Sequence, residues 1–205
     1  MTIERAPSPA PADKFLRFVQ AMTELVSRRS LAEPPILRET GRHLRELVAS
    51  DDWLPDAFAQ PNPEFYQQYL LYGDPQERFS IVSFVWGPGQ RTPIHNHTVW
   101  GVIGMLRGSE TGQSYELQGA NMPPRPVGLP ERLDPGMTTF VSPSIGDVHQ
   151  VWNVHEDRTS ISIHVYGGNI GRIRRHVFLE DGKAKEFVSG YSAAVTPNLW
   201  KMEKA

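Results

Sequence analysis

The pattern of apolar residues along the chain predicts a mainly β protein, a closed barrel preceded by α-helices. Three observations carry this expectation. Before residue 51 the apolar residues recur at helical spacing; after Trp53 they fall into short runs rich in Val, Ile, Phe, Thr and Tyr, broken by Gly and Pro clusters. The chain has 205 residues, and single-domain β-barrels commonly run to about 200, which leaves room for one barrel core and some helices.

From the start, Ala6 to Ala12 alternate Pro with small residues, so residues 1–12 read as a flexible tail in which proline withholds backbone donors. A single domain is expected over 13–205, with helices in 13–52 and the barrel at about 60–180. The first helix is marked by Phe15, Phe18, Val19, Met22, Leu25 and Val26, and the second by Leu37, Leu44, Leu47 and Val48. Their stripes read as packing faces, which every surface helix of a globule needs. Strands are expected at Phe79 to Trp86, Val99 to Leu106, Ser114 to Leu117, Thr138 to Val141, Val148 to Val154, Thr159 to Tyr166 and Arg174 to Leu179. The five prolines in Met122 to Pro135 predict a loop across a barrel edge.

Composition narrows the function classes. Hydrophobic residues at 39% and charged residues at 21% are ordinary for a soluble globule, and a net charge of −2 gives no electrostatic reason to bind nucleic acid. No apolar run approaches the roughly 20 residues of a membrane helix, and the first residues lack an apolar signal core, so no membrane association and a cytoplasmic location are expected. There is no cysteine. Disulfides, thiolate metal ligands and a cysteine nucleophile are excluded together, and any metal must be held by His, Asp or Glu.

His95-Asn96-His97 would, on a strand, direct both imidazoles to one face and chelate an ion. Taken alone, the pair describes solvated or core histidines as well as a metal site. Gly89 stands before His95 with five residues between, Gly101 follows His97 after three residues, and Gly108 follows Gly101 after six. This resembles the first motif of the cupin superfamily, G-x5-H-x-H-x3-E-x6-G, with Gly101 where most cupins have a metal-binding glutamate. The segment Gly136 to Asn153, with Gly146, His149 and Asn153, is similar to the second cupin motif, although Pro143 stands one residue further from Gly146 than usual. The resemblance implies a cupin barrel, the double-stranded β-helix or jelly-roll, in which His149 joins His95 and His97 as the metal ligands. Three imidazoles suit iron, copper, nickel and zinc alike.

The block WGPGQRTPIHNHTVWGVIGMLRGSE, with DVHQVWN and SISIHVYGG after it, resembles the thiol dioxygenases, the family of cysteine dioxygenase and 3-mercaptopropionate dioxygenase. The resemblance covers residues 60 to 178 and implies one mononuclear Fe(2+) per chain, with a small thiol and O2 as reactants. It also implies a relay of Ser162, His164 and Tyr166. Strand alternation puts these three on one face, the inside of a closed barrel, where each supplies the others with hydrogen-bond partners.

In animal cysteine dioxygenases an arginine two residues after a tyrosine holds the carboxylate. Here Gln68 stands at that spacing from Tyr66, which is similar to the 3-mercaptopropionate branch, where an arginine after the last relay strand replaces it. Among Arg172, Arg174 and Arg175, spacing from Tyr166 favours Arg175, with Arg174 as fallback, since on a strand the latter two face opposite sides; Arg175 and Gln68 are then expected to bind the substrate carboxylate. The counterpart of the cysteine that cross-links the relay tyrosine falls near Gly101, so Tyr166 is expected to act as an unmodified phenol. The resemblance therefore implies conversion of 3-mercaptopropionate to 3-sulfinopropionate. Cysteine dioxygenase proper, and a non-catalytic or zinc-bearing cupin that binds a small molecule, are the alternatives.

Overall fold

The computed structural model describes residues 11–28 and 31–199. Most of the expected tail lies outside the described residues, but helix α1 (Pro11–Val26) begins inside it. Proline is tolerated in a first helical turn, where its missing N–H would have had no partner. Helix α2 (Glu33–Val48) follows, and Pro34 and Pro35 again occupy its first turn. The two helices bury the apolar stripes read from the sequence: Phe15, Phe18, Met22 and Leu25 from α1, and Leu37, Leu44, Leu47 and Val48 from α2. Trp53 closes their far end, stacked on Phe15 at 5.2 Å and donating its indole N–H to the Leu47 carbonyl at 3.0 Å.

Eleven strands are assigned among the described residues: β1 Gln67–Gly73, β2 Ser80–Trp86, β3 Ile94–His95, β4 Gly101–Arg107, β5 Glu110–Glu116, β6 Arg125–Leu133, β7 Thr138–Val141, β8 His149–Asn153, β9 Ser160–Tyr166, β10 Arg175–Phe178 and β11 Ala184–Phe187. They form two antiparallel sheets, ordered β1-β2-β9-β4-β7 and β11-β10-β3-β8-β5-β6. This is the cupin double-stranded β-helix, mainly β with two N-terminal helices. The first sheet carries the helices on its outer face. Accordingly β2 and β9 are buried along their whole length. Ile81, Val85, Ile161, Ile163 and Val165 meet the helix cluster, while Val82, Phe84, Trp86 and Tyr166 belong to the interior one.

The helices approach closely because of two glycines. A side chain on Gly104 would come within 2.8 Å of Leu44, and one on Gly41 within 2.8 Å of Phe140. These small residues let α2 lie down on β4 and β7.

Two sequence expectations need correction. The proline-rich stretch from Met122 to Pro135 is not a loop: its middle is β6, at the end of the second sheet beside β5 alone. An edge strand accepts proline because its outward donors have no ladder to join. Its ladder is also interrupted: Gly112 pairs with Glu131 but Ser114 with Val127, so Gly128, Leu129 and Pro130 bulge past one residue of β5. Second, the histidine pair is not oriented by strand alternation, because β3 ends at His95 and Thr98 adopts a positive φ of 61°. Strands β1, β3 and β11 are absent from the sequence reading: β3 is only two residues long, β11 is mostly polar and exposed, and the apolar residues of β1, Tyr69 to Tyr72, run together without alternation.

Replacing Gly104 by valine is expected to push α2 off the sheet and cost about 1–3 kcal/mol, measured as a lower urea midpoint with the barrel's far-UV signature retained.

Candidate metal centre and relay

His95 closes β3 and lies directly across from His149, the first residue of β8. The three imidazole rings of His95, His97 and His149 sit with centroids 4.8 to 4.9 Å apart, and one ligand nitrogen from each lies within 4.8 Å of the others. What turns His97 inward is Asp147, a residue the sequence reading passed over. Its carboxylate accepts the backbone N–H of His97 at 3.0 Å, that of Thr98 at 2.8 Å and the His97 ring Nδ1 at 3.0 Å. The His95 Nδ1 is likewise engaged, with the Pro93 carbonyl at 3.0 Å. A histidine whose Nδ1 is tied to an acceptor presents Nε2 as a lone pair, which is the arrangement of metal-binding imidazoles.

Burial also keeps His95 and His149 neutral. The pKa of His95 is pulled from 6.5 to about 3, first by desolvation and then by the neighbouring His97, and that of His149 lies well below 6.5 for the same kinds of reason. Donor type, spacing and protonation thus fit one metal ion. Imidazole ligands of this kind suit iron, copper, nickel and zinc alike.

Ser162, His164 and Tyr166 face the barrel interior and form a continuous chain. Ser162 Oγ lies 2.8 Å from His164 Nε2, and His164 Nδ1 lies 2.8 Å from the Tyr166 hydroxyl. Phe84 stacks on the His164 ring at 4.2 Å, and Tyr166 stacks on His97 at 5.5 Å, which joins the relay to the metal ligands. Gly101 makes room for this: a Cβ there would stand 2.9 Å from the Tyr166 ring. The usual cupin glutamate is therefore excluded by the tyrosine that occupies its space. Desolvation raises the Tyr166 pKa above its ordinary value, so the phenol keeps its proton.

Trp86, read from sequence as packing, also donates its indole N–H to Ser162 at 3.1 Å. Glu110, which the sequence reading did not single out, meets Ser162 Oγ at 2.7 Å. Neither carries a motif signal, because both reach the relay from other strands.

Of the three candidate arginines, Arg174 is on the surface beside Glu186 at 3.7 Å and Arg172 beside Glu77 at 3.4 Å. Arg175 is 3% exposed. It lies over the Phe187 ring at 4.6 Å and donates to Ser189 Oγ at 2.6 Å, while its buried Nε has no partner. No acidic side chain pairs with it among the described residues. Gln68 donates its amide N–H groups to Ser189 Oγ at 3.1 Å and the Gly190 carbonyl at 3.0 Å. It therefore holds the segment that positions Arg175.

A family profile described as Auxin binding protein matches residues 77–187. Auxin-binding protein 4 of Zea mays is 39% identical over 87 residues, 42% of this chain and 39% of that relative, so the match spans about two fifths of the relative's length. Among solved structures, a Klebsiella pneumoniae protein with a double-stranded β-helix domain is 16% identical, with a TM-score of 0.43 and coverage of 65% of this chain and 91% of its own. A cupin 2 conserved barrel protein of Rhodopseudomonas palustris is also 16% identical, with a TM-score of 0.43 and coverage of 61% and 77%. No helix among the described residues is long and apolar enough to cross a membrane.

Two outcomes are expected here. Replacing Asp147 by Asn should weaken metal binding by about 10- to 100-fold, measured by competition with a chelator. As pH falls below 6.5, the unfolded chain takes up protons that the folded imidazoles refuse. The metal-free protein should therefore hold this part of its stability above pH 6.5 and lose it progressively toward pH 3, read as a falling urea midpoint.

Proposed function

This chain belongs to the Auxin binding protein family, and on that cupin scaffold we propose a thiol dioxygenase that converts 3-mercaptopropionate to 3-sulfinopropionate with ferrous iron and O2. The observation that carries the reading is Arg175: a buried guanidinium, unpaired by any acid among the described residues, on the strand beside β3 and its ligand His95. A buried cation calls for an anion, and the planar fork of arginine suits a carboxylate. The resemblance to thiol dioxygenases around the histidines and the relay supplies the chemistry.

His95, His97 and His149 would hold the iron, which supplies a centre where thiolate and dioxygen meet and both oxygen atoms pass to sulfur, R–S⁻ + O2 giving R–SO2⁻. The protein's own part is positioning. Arg175 binds the substrate carboxylate, and Gln68 acts through Ser189 to keep the guanidinium in place. Fixing that end aligns sulfur in reacting geometry instead of leaving the encounter to chance. Neutral histidines leave the metal's charge uncompensated, which favours an anionic thiolate. Tyr166, held by His164, presents its phenol beside His97 and retains its proton there.

Two other readings share the site. Cysteine as substrate requires that its amine be accepted beside the same carboxylate anchor. The family is described by what it binds, auxin, and the corresponding reading is a cupin that holds a small anion against Arg175 without oxidising it.

Oxygen uptake by the iron-loaded protein should be faster with 3-mercaptopropionate than with cysteine, and negligible with cysteamine, which lacks the carboxylate. Arg175→Met should raise KM for 3-mercaptopropionate by about 10- to 100-fold. Equal turnover of cysteamine would remove Arg175 from the substrate site. Zinc or nickel as the native metal, with no thiol-dependent uptake, would favour the binding reading.

A further inference from the structure

The relay does not end at Ser162. Ser162 Oγ has three polar neighbours, the Trp86 indole N–H, the Glu110 carboxyl and His164 Nε2. A serine hydroxyl offers one proton and two lone pairs, and an indole can only donate. Trp86 thus consumes one lone pair. One proton and one lone pair remain for Glu110 and His164, which leaves two self-consistent arrangements.

When Glu110 is a carboxylate, Ser162 donates to it, His164 donates from Nε2 to Ser162, and His164 Nδ1 accepts the Tyr166 proton. The tyrosine then shows the site its lone pairs. When Glu110 is protonated it donates to Ser162, Ser162 donates to His164 Nε2, and His164 Nδ1–H donates to the tyrosine oxygen. The Tyr166 proton is then free to point into the site. We propose that Glu110 is a positioning residue which, through Ser162, sets the tautomer of His164 and so decides whether Tyr166 offers the site a lone pair or a proton.

The proton count balances. The arrangement with protonated Glu110 holds one proton more than the other. If Tyr166 gives its proton to the site, each hydrogen moves one partner toward Tyr166 and Glu110 is left as a carboxylate; a proton returned at Tyr166 drives the reverse shift, and uptake at Glu110 itself reaches the same arrangement once the His164 ring proton exchanges from Nε2 to Nδ1.

Two further observations make both states accessible. Glu110 is 3% exposed, and burial raises its carboxyl to about 7 against the opposing hydrogen bond from Ser162. It also lines a cavity of about 210 Å³ that reaches the exposed Leu129 and Arg132 of β6, a route for protons that bypasses Tyr166. The titratable and charged groups around Glu110 are His164 and Tyr166 on β9, His149 across the cavity on β8, and Glu131 and Arg132 at its mouth on β6. Arg132 is committed to Asp134 at 2.8 Å. β4 and β7 line the same cavity with Ile103, Thr138 and Thr139, none of which titrates.

The consequence for oxidation rests on the dioxygenase reading above, but the tautomer does not, and it can be measured directly. In the full chain loaded with zinc and labelled with ¹⁵N-histidine, the His164 ring should carry its proton on Nε2 at pH 8.5 and on Nδ1 at pH 5.5. Glu110→Gln should fix one tautomer across that range. Ser162→Ala, which cuts the link while keeping the carboxyl, should abolish the pH response as well and serves if the Gln variant does not fold. A wild-type tautomer that stays constant, or a switch that survives Ser162→Ala, overturns the proposal. With iron, Glu110→Gln should lose the near-neutral limb of the kcat profile at unchanged metal content; retention of that limb counts against it. A tautomer switch in a protein without thiol-dependent uptake would sink the dioxygenase reading and leave this inference standing.

Discussion

A slip of β9 by one residue between β2 and β4 would turn Ser162, His164 and Tyr166 outward under the helices and drive Ile161, Ile163 and Val165 into the barrel. The two-residue period of a strand allows no intermediate arrangement. What holds the register is burial on both faces at once. The isoleucines and valine fill the cluster against α1 and α2, while the polar stripe finds its hydrogen bonds only inside. Wrong register would bury three polar groups without partners, each costing about 1–3 kcal/mol.

The interior is then organised by what stacks on that stripe. Phe84 covers His164 and Tyr166 covers His97, so relay and metal ligands share one packed wall. Gly101 belongs to the same constraint, because the ring of Tyr166 fills the space that a glutamate side chain would enter. Loss of a fourth acidic residue and placement of a phenol beside the three histidines are two results of one packing decision. On the opposite sheet, β10 brings Arg175 next to β3, where it faces the site with its neighbour Arg174 directed outward.

Charge is handled by distance from water. His95 and His149 are neutral because they are buried, and Asp147, at the rim of the interior, supplies the negative partner that orients His97. Arg175 stays buried over an aromatic ring, with no acidic side chain paired to it among the described residues.

The sequence by itself determined the helical stripes, most of the strands and the inward face of the relay, because each depends on a local period of 3.6 or 2 residues. It also indicated the three histidines, through glycine and histidine spacings that sit in neighbouring hairpins. Tertiary structure decided the rest. Asp147, Trp86 and Glu110 meet His97 and Ser162 from 50 or more residues away, where no local pattern announces a partner, and Ser189 reaches Arg175 from beyond the end of β11. β6 was hidden by its prolines, since only its place at a sheet edge makes them tolerable. The choice of Arg175 over Arg174 needed the strand to be seated beside β3, because alternation separates the two faces without saying which one is inside.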